Sequence, residues 1–196
     1  MIQTNELDND IVTVSKLQVA LRSSVHSLQS ELSELSLEAD TQNPEGLSQL
    51  LEASALALLR NSENWTHVLG SSQTISTREE AETIFKRLSI EERSKFSAET
   101  LTNINGKIRQ RELVESNPDE EPGAYIVVTL LIGTADDQPL FTQIDSAQAM
   151  QEALKKVASM RSDYLMVFEL LWSPQVETDT LTKAELATEY ADLVAI

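Results

Sequence analysis

The sequence predicts an α+β fold, an antiparallel-rich sheet of about four strands with amphipathic helices packed against it. Two observations carry this. Residues 125–133 (YIVVTLLIG) and 164–172 (YLMVFELLW) are short, β-rich and apolar on both faces, as strands inside a covered sheet are. Elsewhere Ser or Thr stands three residues before Glu, at Thr77 and Glu80, Ser89 and Glu92, and Thr182 and Glu185, the reciprocal cap that opens helices. At 196 residues, one such body buries about 70% of the surface its unfolded chain exposes, enough for a full core.

Residues 1–10 are polar and read as a flexible N-terminus, leaving 11–196 as one domain. Residues 11–21 (IVTVSKLQVAL) alternate with period two and put Ile11, Leu17, Val19 and Leu21 on one face of a strand. The three–four spacing of Val14, Leu17, Leu21, Val25, Leu28, Leu32 and Leu35 also fits a helix. The β-branched content favours a strand to about residue 21, then a helix over 23–40. Pro44 sits near a first helical position and starts a helix apolar over 47–60. Residues 61–76 read as a loop holding Trp65. Thr77 opens a helix to about 88, Ser89 opens another to about 103, and Asn105-Gly106 breaks it.

Residues 112–123 (ELVESNPDEEPG) read as an exposed acidic loop. The strand at 125–133 turns at 134–139 into a short partner at 140–144. Asp145 or Ser146 caps a helix to 160, the strand at 164–172 stops at Ser173-Pro174, and Thr182 opens a last short helix. The order is strand, helices, strand, strand, helix, strand. That is a ferredoxin-like, split βαβ order with a large multi-helix insertion after the first strand, the helical part over 22–110 and the strand-rich part over 124–196.

Fifteen Lys and Arg against 32 Asp and Glu give a net charge of −17. Such a chain lacks the clustered bases that drive nucleic-acid binding and is repelled by anionic membranes, so neither nucleic acid nor direct membrane insertion is expected. Residues 60–111 are the exception, with nine bases and seven acids. This stretch reads either as a basic face for an acidic partner or as a solvated helical face with mixed ion pairs.

There is no cysteine, which excludes disulfides, thiolate metal sites and cysteine nucleophiles. The five glycines are too far apart for a phosphate-cradling loop. His26 has no ligand partner at helical spacing, and His67 has only Glu63 four residues before it. Asp136 and Asp137 suit a turn better than acid–base work. Asp119, Glu120 and Glu121 lack the interleaving of a calcium loop. Glu169 interrupts an apolar strand and needs a partner or an exposed face. Trp172 suits the rim of a core, and Trp65 either docks on the helical layer or anchors a partner. No cofactor, metal or catalytic residue is expected.

Several segments, in order, carry a likeness to a known family: VSKLQVAL at 14–21, DTQNPEGL at 40–47, ALLRNSENW at 57–65, LSIEERSKFSAETL at 88–101, GAYIVVTLLIGT at 123–134 and ELLWSPQ at 169–175, with the closing LTKAEL and YADLV. Together they resemble the domain-of-unknown-function family 1517 of cyanobacteria and chloroplasts. The resemblance implies a protein of photosynthetic organisms, connected with acclimation to changing light, for which no enzymatic activity is established. Many relatives carry an apolar or glycine-rich segment before the shared domain. This chain starts almost at the domain, which implies a soluble cytoplasmic form, peripheral to thylakoids through a protein partner.

The leading expectation is a non-enzymatic interaction or regulatory protein. Its partner surface would be Arg87, Arg93, Lys95, Lys107 and Arg109, with Trp65 as anchor. The alternative is an enzyme or small-ligand binder with a pocket between sheet and helices, lined by His67, Glu169 or Tyr125. A homo-oligomer joined through an exposed strand edge is the third possibility.

Overall fold

The β-branched run near the start of the chain folds as β1 (Val12–Arg22) and becomes the middle strand of a five-stranded antiparallel sheet. The computed structural model describes residues 5–24, 26–100, 125–175 and 179–196, with the side chains of 26 and 96–100 outside that description. After β1 come helices α1 (His26–Glu38) and α2 (Pro44–Arg60), strand β2 (Trp65–Ile75) and helix α3 (Arg78–Thr100). Strand β3 (Tyr125–Thr134), helix α4 (Ala147–Ala158), strand β4 (Leu165–Ser173), helix α5 (Lys183–Glu189) and strand β5 (Val194–Ala195) follow. The expectations for Lys107, Arg109, the Asn105-Gly106 break and the acidic loop with Asp119, Glu120 and Glu121 lie outside the described residues, as does the side chain of His26.

The strand order is β4-β3-β1-β2-β5. In a split βαβ unit the two strands flanking the helix run parallel with a third between them. Here β1 and β2 are direct antiparallel neighbours, and so are β3 and β4. The pairing found is therefore not the ferredoxin-like one, and the sheet has five strands rather than about four. Two local readings account for the difference. Residues 61–76 were expected to be a loop, yet 65–75 form β2, which pairs with β1 along its whole length and places a strand inside the supposed helical part. Its Ser and Gly content hides it. Ser72 and Thr74 pair their hydroxyls with those of Ser15 and Thr13, at 2.8 and 2.9 Å, and Gly70 leaves room for Ile144, whose Cδ1 lies 2.5 Å from where a Cβ would sit. Residues 140–144 were expected to be a strand and are not one. Leu140 donates its backbone N–H to the Ser72 hydroxyl, and Leu140 and Ile144 enter the core as plugs.

The helix starts follow the sequence more closely. Asn43 caps α2 by accepting from the Gly46 N–H, with Pro44 in the first turn. Ser146 caps α4, and Thr182 with Glu185 makes both bonds of its capping box. Ser89 does not cap anything. The two helices expected at 77–88 and 89–103 are one helix, α3, and Glu92 turns inward instead of back to its supposed cap. Ahead of β1, Tyr164 donates to Glu6, and the Asn9 amide donates to the Asp137 carboxylate.

Alternation along β1 and β3 sorts the side chains into two faces. Leu17, Val19, Leu21, Val128, Leu130 and Ile132 face α1, α2 and α4 and form the main core. The other face carries two smaller clusters. Val12 and Val14 meet Ala81, Phe85 and Leu88 of α3, while Ala20 and Val127 meet Leu186 of α5 and Tyr190, the residue that ends it. Between these clusters β1 presents Lys16 and Gln18.

Candidate functional site

The gap between the two clusters holds a buried charge network. Glu92 of α3 is 2% exposed. It accepts from the Lys16 ammonium at 3.1 Å, from Lys95 at 3.0 and 3.1 Å and from the Gln18 amide at 2.9 Å. Gln18 also donates to the Thr129 hydroxyl of β3 at 2.7 Å, and the Lys95 ammonium lies 4.5 Å from the centre of the Tyr190 ring. One carboxylate thus ties α3, β1, β3 and α5 together. In the second half of α3, from Ser89 to Lys95, it is the one fully buried side chain. That half is fastened by charge where the first half is fastened by apolar contact. A buried carboxylate tolerates this position because each oxygen has donors.

Beside the network, between α3 and β4, runs an open groove of about 680 Å³. Its floor is apolar: Val12, Val14, Ala81, Phe85, Gly133 and Val167. Gly133 lets the Val167 side chain lie close over β3, since a Cβ there would come within 2.6 Å of it. A β-bulge shapes the far wall. Gly133 pairs with Val167 and Thr134 with Leu165, so Met166 is the extra residue. Met166 and Val167 consequently both face the groove, and both are exposed. Ile90 stands on the α3 wall, 68% exposed.

The charged groups around the groove are engaged with one another. Arg93 of α3 bridges across to Glu169 of β4. Lys86 pairs with Glu82, and Arg78 lies 3.7 Å from Asp10. Arg87, on the outer side, lies 3.9 Å from Glu91. Within the span of α3 the chain carries five bases and six acids. The basic face expected from the sequence is therefore a mixed-charge face over α3, and Arg87, Arg93 and Lys95 do not form one patch. Lys95 points into the Glu92 network, Arg93 to the groove and Arg87 away. Trp65 corrects the expectation further. It is 7% exposed in the main core, and its Nε1 donates to the Leu58 carbonyl. Its apolar bulk decides this, because the bulge between Ala20 and Leu21 turns it onto the helix-covered face.

The pocket imagined for a ligand binder is only partly assembled. Glu169 lines the groove, whereas His67 and Tyr125 meet each other at the α5 end of the sheet, with ring centres 6.1 Å apart. Burial, then the Lys183 ammonium, pushes the His67 imidazole below its usual 6.5. Its resonances should titrate with a midpoint below 6.5 in an NMR pH series, and Lys183→Ala should move the midpoint upward. The unfolded chain takes up this proton first, so any stability tied to His67 is intact above pH 6.5 and declines as pH falls through the folded midpoint. Among the described residues no group of three or more His, Asp or Glu is placed to hold a metal ion, and no helix is long and apolar enough to cross a membrane. Trp172 is half-buried at the rim of the core, and its Nε1 has no hydrogen-bond partner among the described residues. Sequence reasoning missed Lys16, Gln18, Met166 and Val167. The signal available for the first two was polar residues on the inward face of a middle strand.

Residues 11–196 match the family described as protein of unknown function DUF1517. The chain belongs to that family. It is 40% identical over 190 residues to "Protein FLAP1 homolog A" of Synechocystis sp., covering 93% of this chain and 56% of the relative. It is 37% identical over 183 residues to "FLUCTUATING-LIGHT-ACCLIMATION protein 1, chloroplastic" of Arabidopsis thaliana, covering 93% of this chain and 46% of that protein. This DUF1517 chain thus spans about half the length of these relatives. No solved structure matches it. Glu92, Arg93 and Lys95 lie within the matched residues.

Proposed function

We propose that this DUF1517 protein serves acclimation to changing light by contact rather than by reaction, and that its contact surface is the groove between α3 and β4. The names of the two relatives support the link to changing light. One observation carries the second. The charged side chains lining the groove have partners within the chain, whereas the apolar side chains of Ile90, Met166 and Val167 are left to solvent. Exposed apolar clusters with polar rims mark interaction sites. Besides the contact at the groove, the reading includes a protein partner held elsewhere on the surface, through which the chain reaches the thylakoid, and no nucleic acid.

The test is complementation. A strain lacking the protein receives either the native chain or Val167→Lys, and chlorophyll fluorescence is followed under alternating strong and weak light. The native chain should restore acclimation, and Val167→Lys should fail while accumulating to the same level. Full rescue by Val167→Lys would remove the groove from the function.

A further inference from the structure

We infer that the occupant of the α3–β4 groove is a second copy of this chain, joined face to face about a two-fold axis; this rests on the reading of the groove as the contact surface. The argument starts from charge. A molecule carrying −17 repels its own copies over most of its surface. The groove is different, because Arg78, Lys86 and Arg93 stand around it with Glu82 and Glu169. With every base already beside an acid, this rim offers no net field to a strongly acidic or basic partner. Alternating signs are instead what a surface needs to meet itself, each base of one copy facing an acid of the other.

Shape points the same way. Ile90 projects from the α3 wall next to a hollow floored by Gly133 and Val167, so each copy presents both an apolar protrusion and an apolar recess. The stretch of α3 from Arg78 to Arg93 is about 22 Å long at 1.5 Å per residue, enough for two antiparallel helices to lie along one another. Joining through the edge of β4 is disfavoured, because the Met166 bulge breaks the even ladder that an added strand would need. At this side of the sheet the contact is therefore made by the face of the sheet and α3, not by strand addition at β4.

Sedimentation velocity of the full chain over a wide concentration range tests this. The expected result is a species of twice the chain mass. Ile90→Glu and Met166→Lys, both at exposed positions, should each raise the dissociation constant by about tenfold or more and leave the circular dichroism unchanged. The absence of cysteine gives a second, independent measurement. A mixture of Ile90→Cys and Met166→Cys chains should form a mixed disulfide under mild oxidation, while Leu37→Cys, on an exposed position of α1, should not cross-link to either. A monomer at all concentrations, a dimer indifferent to both charge variants, or cross-linking no faster than with Leu37→Cys overturns the inference. A monomer whose Val167→Lys variant still fails complementation overturns the inference alone. A dimer through the groove whose Val167→Lys variant complements fully overturns the functional reading alone.

Discussion

Replacing Glu92 with alanine should lower the free energy of unfolding by about 3 kcal/mol, the lower end of the cost of breaking a buried ion pair. The carboxylate is the common partner of Lys16 and Lys95 and of the Gln18 amide. Removing it leaves two ammonium groups facing each other across a closed gap. The lower end applies because the Lys16 and Lys95 side chains keep 13% and 21% exposure, so water can reach them. The charges themselves add little net stability. A triple replacement with Glu92→Leu, Lys16→Met and Lys95→Met should be neutral or stabilising, by up to about 4 kcal/mol. Urea unfolding followed by circular dichroism measures both. If Glu92→Ala unfolds at the same urea concentration as the native chain, the network does not fasten α3.

The second large effect is expected at Trp65. Truncating it to alanine should cost about 3–5 kcal/mol, the range for a large aromatic removed from a core. Trp65→Phe keeps most of the packing, loses the Nε1 bond to the Leu58 carbonyl, and should cost about 1 kcal/mol. A partner anchor behaves differently: its loss leaves thermal unfolding unchanged and weakens only association. A native unfolding temperature for Trp65→Ala would return Trp65 to the surface.

The sequence made visible what depends on local periodicity and caps. The strands at 12–22, 125–134 and 165–173 and the starts of α2, α4 and α5 appear where expected, because apolar alternation, Pro44, Ser146 and Thr182 act on their own neighbours. What it hid depends on distant partners. Ser72, Thr74 and Gly70 look like loop residues until β1 supplies hydroxyl partners for the first two and Ile144 packs over the glycine. Ser89 and Glu92 fit the spacing of a cap, but the pull of Lys16, some 76 positions earlier in the chain, decides where Glu92 goes. The candidate site was legible in part. Arg93, Lys95 and Glu169 are named by sequence, and their ion pairs fit the mixed-charge reading of the positive stretch rather than the basic-face one. The far wall of the groove comes from a bulge at Met166 and from Val167 lying over Gly133, neither of which has a signature in one strand read alone.

The placement of β1 between β2 and β3 also has a consequence during synthesis. β2 leaves the ribosome some forty residues after β1 and can zip onto one of its edges, and about fifty further residues separate Ile75 from Tyr125. At ~5–20 residues per second the nascent chain waits roughly 3–10 s with the other edge of β1 bare. During that interval the half-made protein is a hydrophobic template open to chaperones and to neighbouring nascent chains, and the speed of translation across residues 76–124 governs how long the exposure lasts.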